Sequence, residues 1–177
     1  MKSIGRFLIV FALLSIPAFA ENRDLTLFAG AQFPGKLTLT QVGSGTTQTL
    51  SSPSNSGLFG LRYGRGSILG HEETIAYSSG FLDSRSKALI MNGNMVVQAG
   101  LPVVKPYVTA GLGTIVTWGS AISDVGTKFA VNYGGGLKIR PAGPVGIRID
   151  ARGYSAFGVF DQTLKIGEVT VGVLFSF

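Results

Sequence analysis

Val145-Gly146-Ile147-Arg148-Ile149-Asp150-Ala151-Arg152 and, at the end of the chain, Val169-Thr170-Val171-Gly172-Val173-Leu174-Phe175-Ser176-Phe177 decide the fold. Both stretches alternate apolar with polar or small residues. Successive side chains of a strand point to opposite faces, so a period of two marks a β-strand with two unlike faces. Val169, Val171, Val173, Phe175 and Phe177 form one continuous apolar face; Glu168, Thr170, Gly172, Leu174 and Ser176 form the other. In the same way Val145, Ile147, Ile149 and Ala151 stand opposite Arg148, Asp150, Arg152 and Tyr154. One segment earlier, Phe129, Val131, Tyr133, Leu137 and Ile139 oppose Asn132, Gly134, Gly136, Lys138 and Arg140.

Working outward, the same rhythm predicts strands over Leu25 to Phe33, Gly57 to Gly64, His71 to Phe81, Lys87 to Ala99, Pro106 to Trp118, Lys128 to Arg140, Val145 to Phe157 and Leu164 to Phe177. Gly, Pro, Ser and Asp bound them, as turns require. The expected fold class is all-β, an up-and-down antiparallel barrel of about eight strands, whose connections alternate between two rims. Pro141 to Pro144 and Gly100 to Pro102 read as tight turns on one rim, with Gly64 to Gly70 a longer member. The other rim takes Pro34 to Ser56, Leu82 to Ser86, Gly119 to Thr127 and Gly158 to Thr163. Leu37 to Thr40 can extend a strand into the first of these, and Gly43 to Gly57 reads as loop.

Which face is inside follows from the content of the polar one. A soluble barrel would turn its apolar face inward. Here the polar face mixes glycine with charge, and Arg62, Glu72, Thr74, Asn92, Asn94 and Gln98 extend it to other segments. Glycine weakens a water-facing strand and often marks a close approach. Inside a narrow barrel it makes room for a long neighbour, so the polar face is assigned to the lumen and the apolar face to lipid. Buried charges persist only when paired and hydrogen-bonded. Arg62, Glu72, Lys138, Arg140, Arg148, Asp150, Arg152 and Glu168 are therefore expected to interlock as ion pairs. An eight-stranded barrel is just wide enough for such side chains to fill it. Tyr63, Tyr77, Trp118, Phe157, Phe175 and Phe177 fall near strand ends on the outer face, where aromatics favour the headgroup level.

At the other end of the chain, Lys2 and Arg6, an apolar run from Phe7 to Ile16, and the small-residue ending Ala18-Phe19-Ala20 have the layout of a cleavable secretory signal. The apolar run is about ten residues, and a spanning helix needs about twenty. Residues 1–20 are thus expected to be removed, leaving one domain, 21–177. Loss of Lys2 and Arg6 lowers the formal net charge from +6 to +4. The remaining positive residues are scattered, so no nucleic-acid face is expected. The chain has no cysteine, which excludes a disulfide framework and a lipidated N-terminal cysteine.

Pro106-Tyr107-Val108-Thr109-Ala110-Gly111-Leu112-Gly113, Tyr133-Gly134-Gly135-Gly136-Leu137-Lys138 and Val145 to Arg152, in that order, resemble the small eight-stranded OmpA/OmpX-like barrels known as the outer membrane protein β-barrel domain. The resemblance covers nearly all of residues 21–177 and implies residence in the bacterial outer membrane. It also implies that Val169, Val171, Val173, Phe175 and Phe177 form the signal read by the barrel-assembly machinery, through edge pairing of that strand.

Few chemical motifs compete. A Ser/His pair with an acidic orienter would mark a lipid-modifying barrel, but the single histidine, His71, falls near the tight-turn end of its strand. His71-Glu72-Glu73 lacks the second histidine of a zinc helix motif. Gly111-Leu112-Gly113 and Gly134-Gly135-Gly136 precede strand, not the helix start that phosphate loops need. No catalytic residue, metal or cofactor is expected. The expected role is structural or surface-interacting, with outer-membrane lipid as solvent and an extracellular ligand, if there is one, meeting loop 34–56. The alternatives are a small channel or transporter, an outer-leaflet lipid-modifying enzyme, and a soluble secreted barrel.

Overall fold

Antiparallel pairing of consecutive strands carries the alternation of faces around a closed cylinder. The computed structural model describes residues 22–35, 38–40, 47–49, 55–81, 84–119, 126–159 and 162–177; the candidate signal, residues 1–20, lies outside them. The strands are β1 (Arg23–Pro34), β2 (Thr38–Thr40), β3 (Thr47–Thr49), β4 (Ser56–Gly66), β5 (Leu69–Ser79), β6 (Lys87–Gln98), β7 (Val104–Trp118), β8 (Gly126–Ile139), β9 (Val145–Val159) and β10 (Gln162–Ser176). Eight of them close in the order β1-β10-β9-β8-β7-β6-β5-β4. Arg23 and Phe177 exchange backbone hydrogen bonds where β1 meets β10. Closure removes the exposed edges that an open sheet would present.

The barrel strands run from 11 residues in β4 to 15 in β10, enough for a tilted strand to span a bilayer, which takes about 9–11. Their side chains divide cleanly: Ile147 and Val171 are 52% and 56% exposed, whereas Arg148 is 0% and Thr170 is 2%. Leu27, Phe59, Ile75, Met95, Leu112, Phe129, Ile149 and Val171, one from each barrel strand, are exposed large apolar side chains. An apolar belt all around a molecule needs acyl chains as its solvent. Arg62, Glu72, Arg148, Asp150, Arg152 and Glu168 are buried on the inside. The arrangement is the reverse of a soluble barrel.

Three connections differ from the sequence reading. The β4–β5 turn is tight, because β4 runs on to Gly66 and β5 starts at Leu69, leaving Ser67 and Ile68 between them. Gly66 has a φ of 129°, and a Cβ there would lie 2.4 Å from the Gly70 Cα. Strand β5 stops at Ser79 instead of Phe81. Gly80 turns the chain with a φ of 76° and donates its N–H to the Ser86 carbonyl at 2.7 Å, and Phe81 joins the buried apolar cluster. Strands β9 and β10 reach to Val159 and from Gln162, shortening the connection expected over Gly158 to Thr163. Within the long connection from β1 to β4, β2 pairs with β3; most of loop 34–56 lies outside the described residues.

Candidate functional site: the filled lumen

The inward positions of all eight strands converge on the barrel axis, and at the centre they are ionic. Strand β9 supplies Arg148, Asp150 and Arg152 at successive inward positions. Arg62 comes from β4, Glu72 from β5 and Glu168 from β10. Arg62 donates from Nη1 to Asp150 Oδ2 at 2.9 Å and from Nη2 to Glu168 Oε1 at 2.7 Å. Glu72 lies between two guanidiniums, 2.6 Å from Arg148 Nη1 and 2.6 Å from Arg152 Nη2. Asp150 also accepts from Arg148 Nε at 3.0 Å and Arg152 Nη2 at 3.0 Å. Three guanidiniums thus meet three carboxylates, so this buried cluster is neutral.

Neutral polar groups complete it. The Tyr107 hydroxyl donates to Asp150 Oδ1 and accepts from Arg148 Nε at 3.0 Å. Arg62 donates to the Thr170 hydroxyl at 2.9 Å, and Gln32 donates to Glu168 at 3.3 Å. Glycines on the adjacent strand β8 supply the space. Gly136 is paired with Asp150, and a Cβ there would lie 2.7 Å from the Tyr107 hydroxyl. Gly134 is paired with Arg152, and its Cβ would lie 2.9 Å from the Arg152 Cγ.

Two of the candidate residues fall elsewhere. Lys138 sits closer to the end of the barrel that carries the tight turns and pairs with Asp24 at 2.6 Å. Asp24 stands one residue before the expected start of the first strand. Arg140 follows the last residue of β8, half-buried at the rim, and makes no ion pair among the described residues. Its parity is right for the lumen, but the strand ends too soon to carry it inward.

Towards the long-loop end the filling changes character. Phe28, Leu58, Ala76, Phe81, Ala88, Ile90, Ile115, Ala130, Tyr154, Ala156, Val159, Leu164 and Ile166 form one buried apolar cluster inside the barrel. The sequence reading expected a polar filling and did not anticipate this second layer. The two layers meet where the Phe28 ring lies 3.8 Å beneath the Arg62 guanidinium, a cation–π contact, and where Asn92 donates to the Tyr154 hydroxyl at 3.3 Å.

On the outer surface near the long-loop rim, Tyr77 packs against Phe59 and Trp118 with ring centroids 5.5 and 6.3 Å apart, and Phe129 stacks on Phe157 at 6.1 Å. Tyr63, Phe175 and Phe177 lie near the opposite rim. His71 also lies there, on the outward face, 3.7 Å from Glu73. Among the described residues no group of His, Asp and Glu gathers as a metal site requires.

Comparison with solved structures places this architecture among small outer-membrane barrels. The fold is similar to Neisserial surface protein A, at a TM-score of 0.64 and 15% identity over 88% of this chain and 97% of that one. It is similar to the attachment invasion locus protein Ail of Yersinia pestis, solved with the heparin analogue sucrose octasulfate, at 0.54 and 17% over 88% and 98%. It is also similar to the outer membrane enzyme PagL, at 0.52 and 16% over 86% and 98%. A search of curated proteins finds no match to the sequence. Residues 7–177 match the family described as outer membrane protein beta-barrel domain, and the chain, a bacterial outer-membrane protein, belongs to that family.

Proposed function

We propose that the protein is a plugged, non-enzymatic barrel that serves as a structural or surface-interacting element of the outer membrane. The observation that carries this reading is the filling of the lumen in two layers, a neutral ionic cluster and an apolar cluster across the same cylinder. An ion crossing it would have to break the guanidinium–carboxylate contacts and then pass the apolar cluster, an unfavourable transfer. Short turns face the periplasm and longer connections the exterior in barrels of this kind. The connection spanning 34–56 is the longest at the exterior rim, and a partner outside the cell would meet it there.

A non-enzymatic role fits the position of the single histidine, which lies outside the lumen at the short-turn rim beside Glu73. Similarity of fold to PagL does not transfer chemistry, since one fold hosts many functions. Single-channel recording in planar bilayers tests the proposal. The expected outcome is no stable conductance; large, persistent openings from the purified barrel would overturn it in favour of a channel.

A further inference from the structure

At the short-turn rim, β1, β4 and β5 set three basic side chains side by side in one hydrogen-bonding row: Arg23 is paired with Arg65, and Arg65 with His71. All three have the parity of Leu25, Leu61 and Tyr63, so they face the membrane side and not the lumen. Neighbouring strands lie about 4.8 Å apart, which gathers the three into a strip about 10 Å wide. Like charges directly opposite each other destabilise a sheet. His71 has Glu73 at 3.7 Å, but neither arginine has an acidic partner among the described residues, and the Arg65 Nε is buried without an acceptor. The adjacent acid, Asp24, faces inward and is held by Lys138 at 2.6 Å.

A shared anion would convert this repulsion into attraction, and two guanidiniums offer the planar forks that suit a phosphate. The surface beside the pair, towards the middle of the bilayer, is apolar: Leu27, Leu61 and Val173 are all exposed there. We propose that Arg23 and Arg65 together bind the phosphate of an anionic phospholipid in the periplasmic leaflet, with its acyl chains lying along Leu27, Leu61 and Val173. A free phosphate would satisfy the arginines but gain nothing from the apolar strip. Among the described residues the opposite rim has no equivalent row: its outward lysines, Lys87 and Lys165, stand apart on β6 and β10.

Native mass spectrometry of the whole barrel, released from micelles doped equally with phosphatidylglycerol and phosphatidylcholine, tests the proposal. The singly bound adduct should favour phosphatidylglycerol by about fivefold for each arginine engaged, and an excess of inorganic phosphate should leave that preference in place. Arg23→Gln with Arg65→Gln should bring the ratio to near parity while the heat-modifiable gel shift of the folded barrel persists. Arg23→Lys with Arg65→Lys, which keeps the charge but loses the forks, should fall between. Lys105→Gln with Arg140→Gln removes the same charge from the mouth of the lumen at that end, which both side chains line, and should leave the preference intact. Equal loss in both glutamine pairs would reduce the effect to a general field and overturn the site. Abolition by inorganic phosphate would overturn the lipid as its occupant.

Discussion

The ionic centre of the lumen and the apolar layer above it are built on the same strands, yet they hold the barrel closed by different physics. Strand β9 contributes Arg148, Asp150 and Arg152 to the first and Tyr154 and Ala156 to the second; β10 contributes Glu168 to the first and Leu164 and Ile166 to the second. In the ionic layer each group depends on the placement of several others. Its carboxylates are shared, and a missing one would strand guanidiniums that are 0% to 4% exposed. The apolar layer has no such directionality, so its side chains can settle around a defect. Buried charge therefore makes the centre specific and intolerant, whereas the apolar layer is the more forgiving half.

Removing a carboxylate while keeping its shape probes that contrast most strongly. Asp150→Asn leaves Arg62, Arg148 and Arg152 short of a shared partner and should destabilise the barrel by about 3–5 kcal/mol, read as a lowered urea midpoint in lipid vesicles. A loss under 1 kcal/mol would erase the distinction between the layers. Ile115→Ala, in the apolar layer and 1% exposed, should cost about 3 kcal/mol through lost burial and a partly collapsed cavity. A loss larger than that of Asp150→Asn would reverse the ranking. The smallest effect belongs to the mouth, where Asp24 and Lys138 are 15% and 8% exposed. There Asp24→Asn should cost about 1 kcal/mol, because water reaches the pair. It should also lose most of that effect in high salt, whereas the Asp150→Asn defect should not.

The division into faces was legible from the alternation alone, since parity is a local property of an extended chain. The glycines of β8 were legible as well: Gly134 and Gly136 share the polar face with Asn132 and Lys138 in the sequence and stand against Arg152 and Asp150 in the barrel. Partners were not legible. Arg62 and Asp150 are 88 residues apart, and their contact depends on how the strands are staggered around the cylinder. Strand ends were similarly hidden. Arg140 has inward parity but follows the end of β8, and Asp24 lies just inside β1, so the mouth pair is Lys138 with Asp24. Phe81 continued a strand-like pattern, and Gly80, at a φ of 76°, took it out of the strand. The apolar inner layer was obscured because Ile90, Ile115 and Leu164 are apolar on both counts, and side-chain chemistry alone does not say which of two oily faces meets lipid.

By itself, the order of residues determined that this chain forms strands with one oily and one polar or small face, because a two-residue period maps directly onto the two sides of a sheet. Only the tertiary structure decided which guanidinium meets which carboxylate, where the filling turns from ionic to apolar, and which basic residues line up at the rim. Those outcomes depend on register and closure, and both arise from distant strands meeting around one axis.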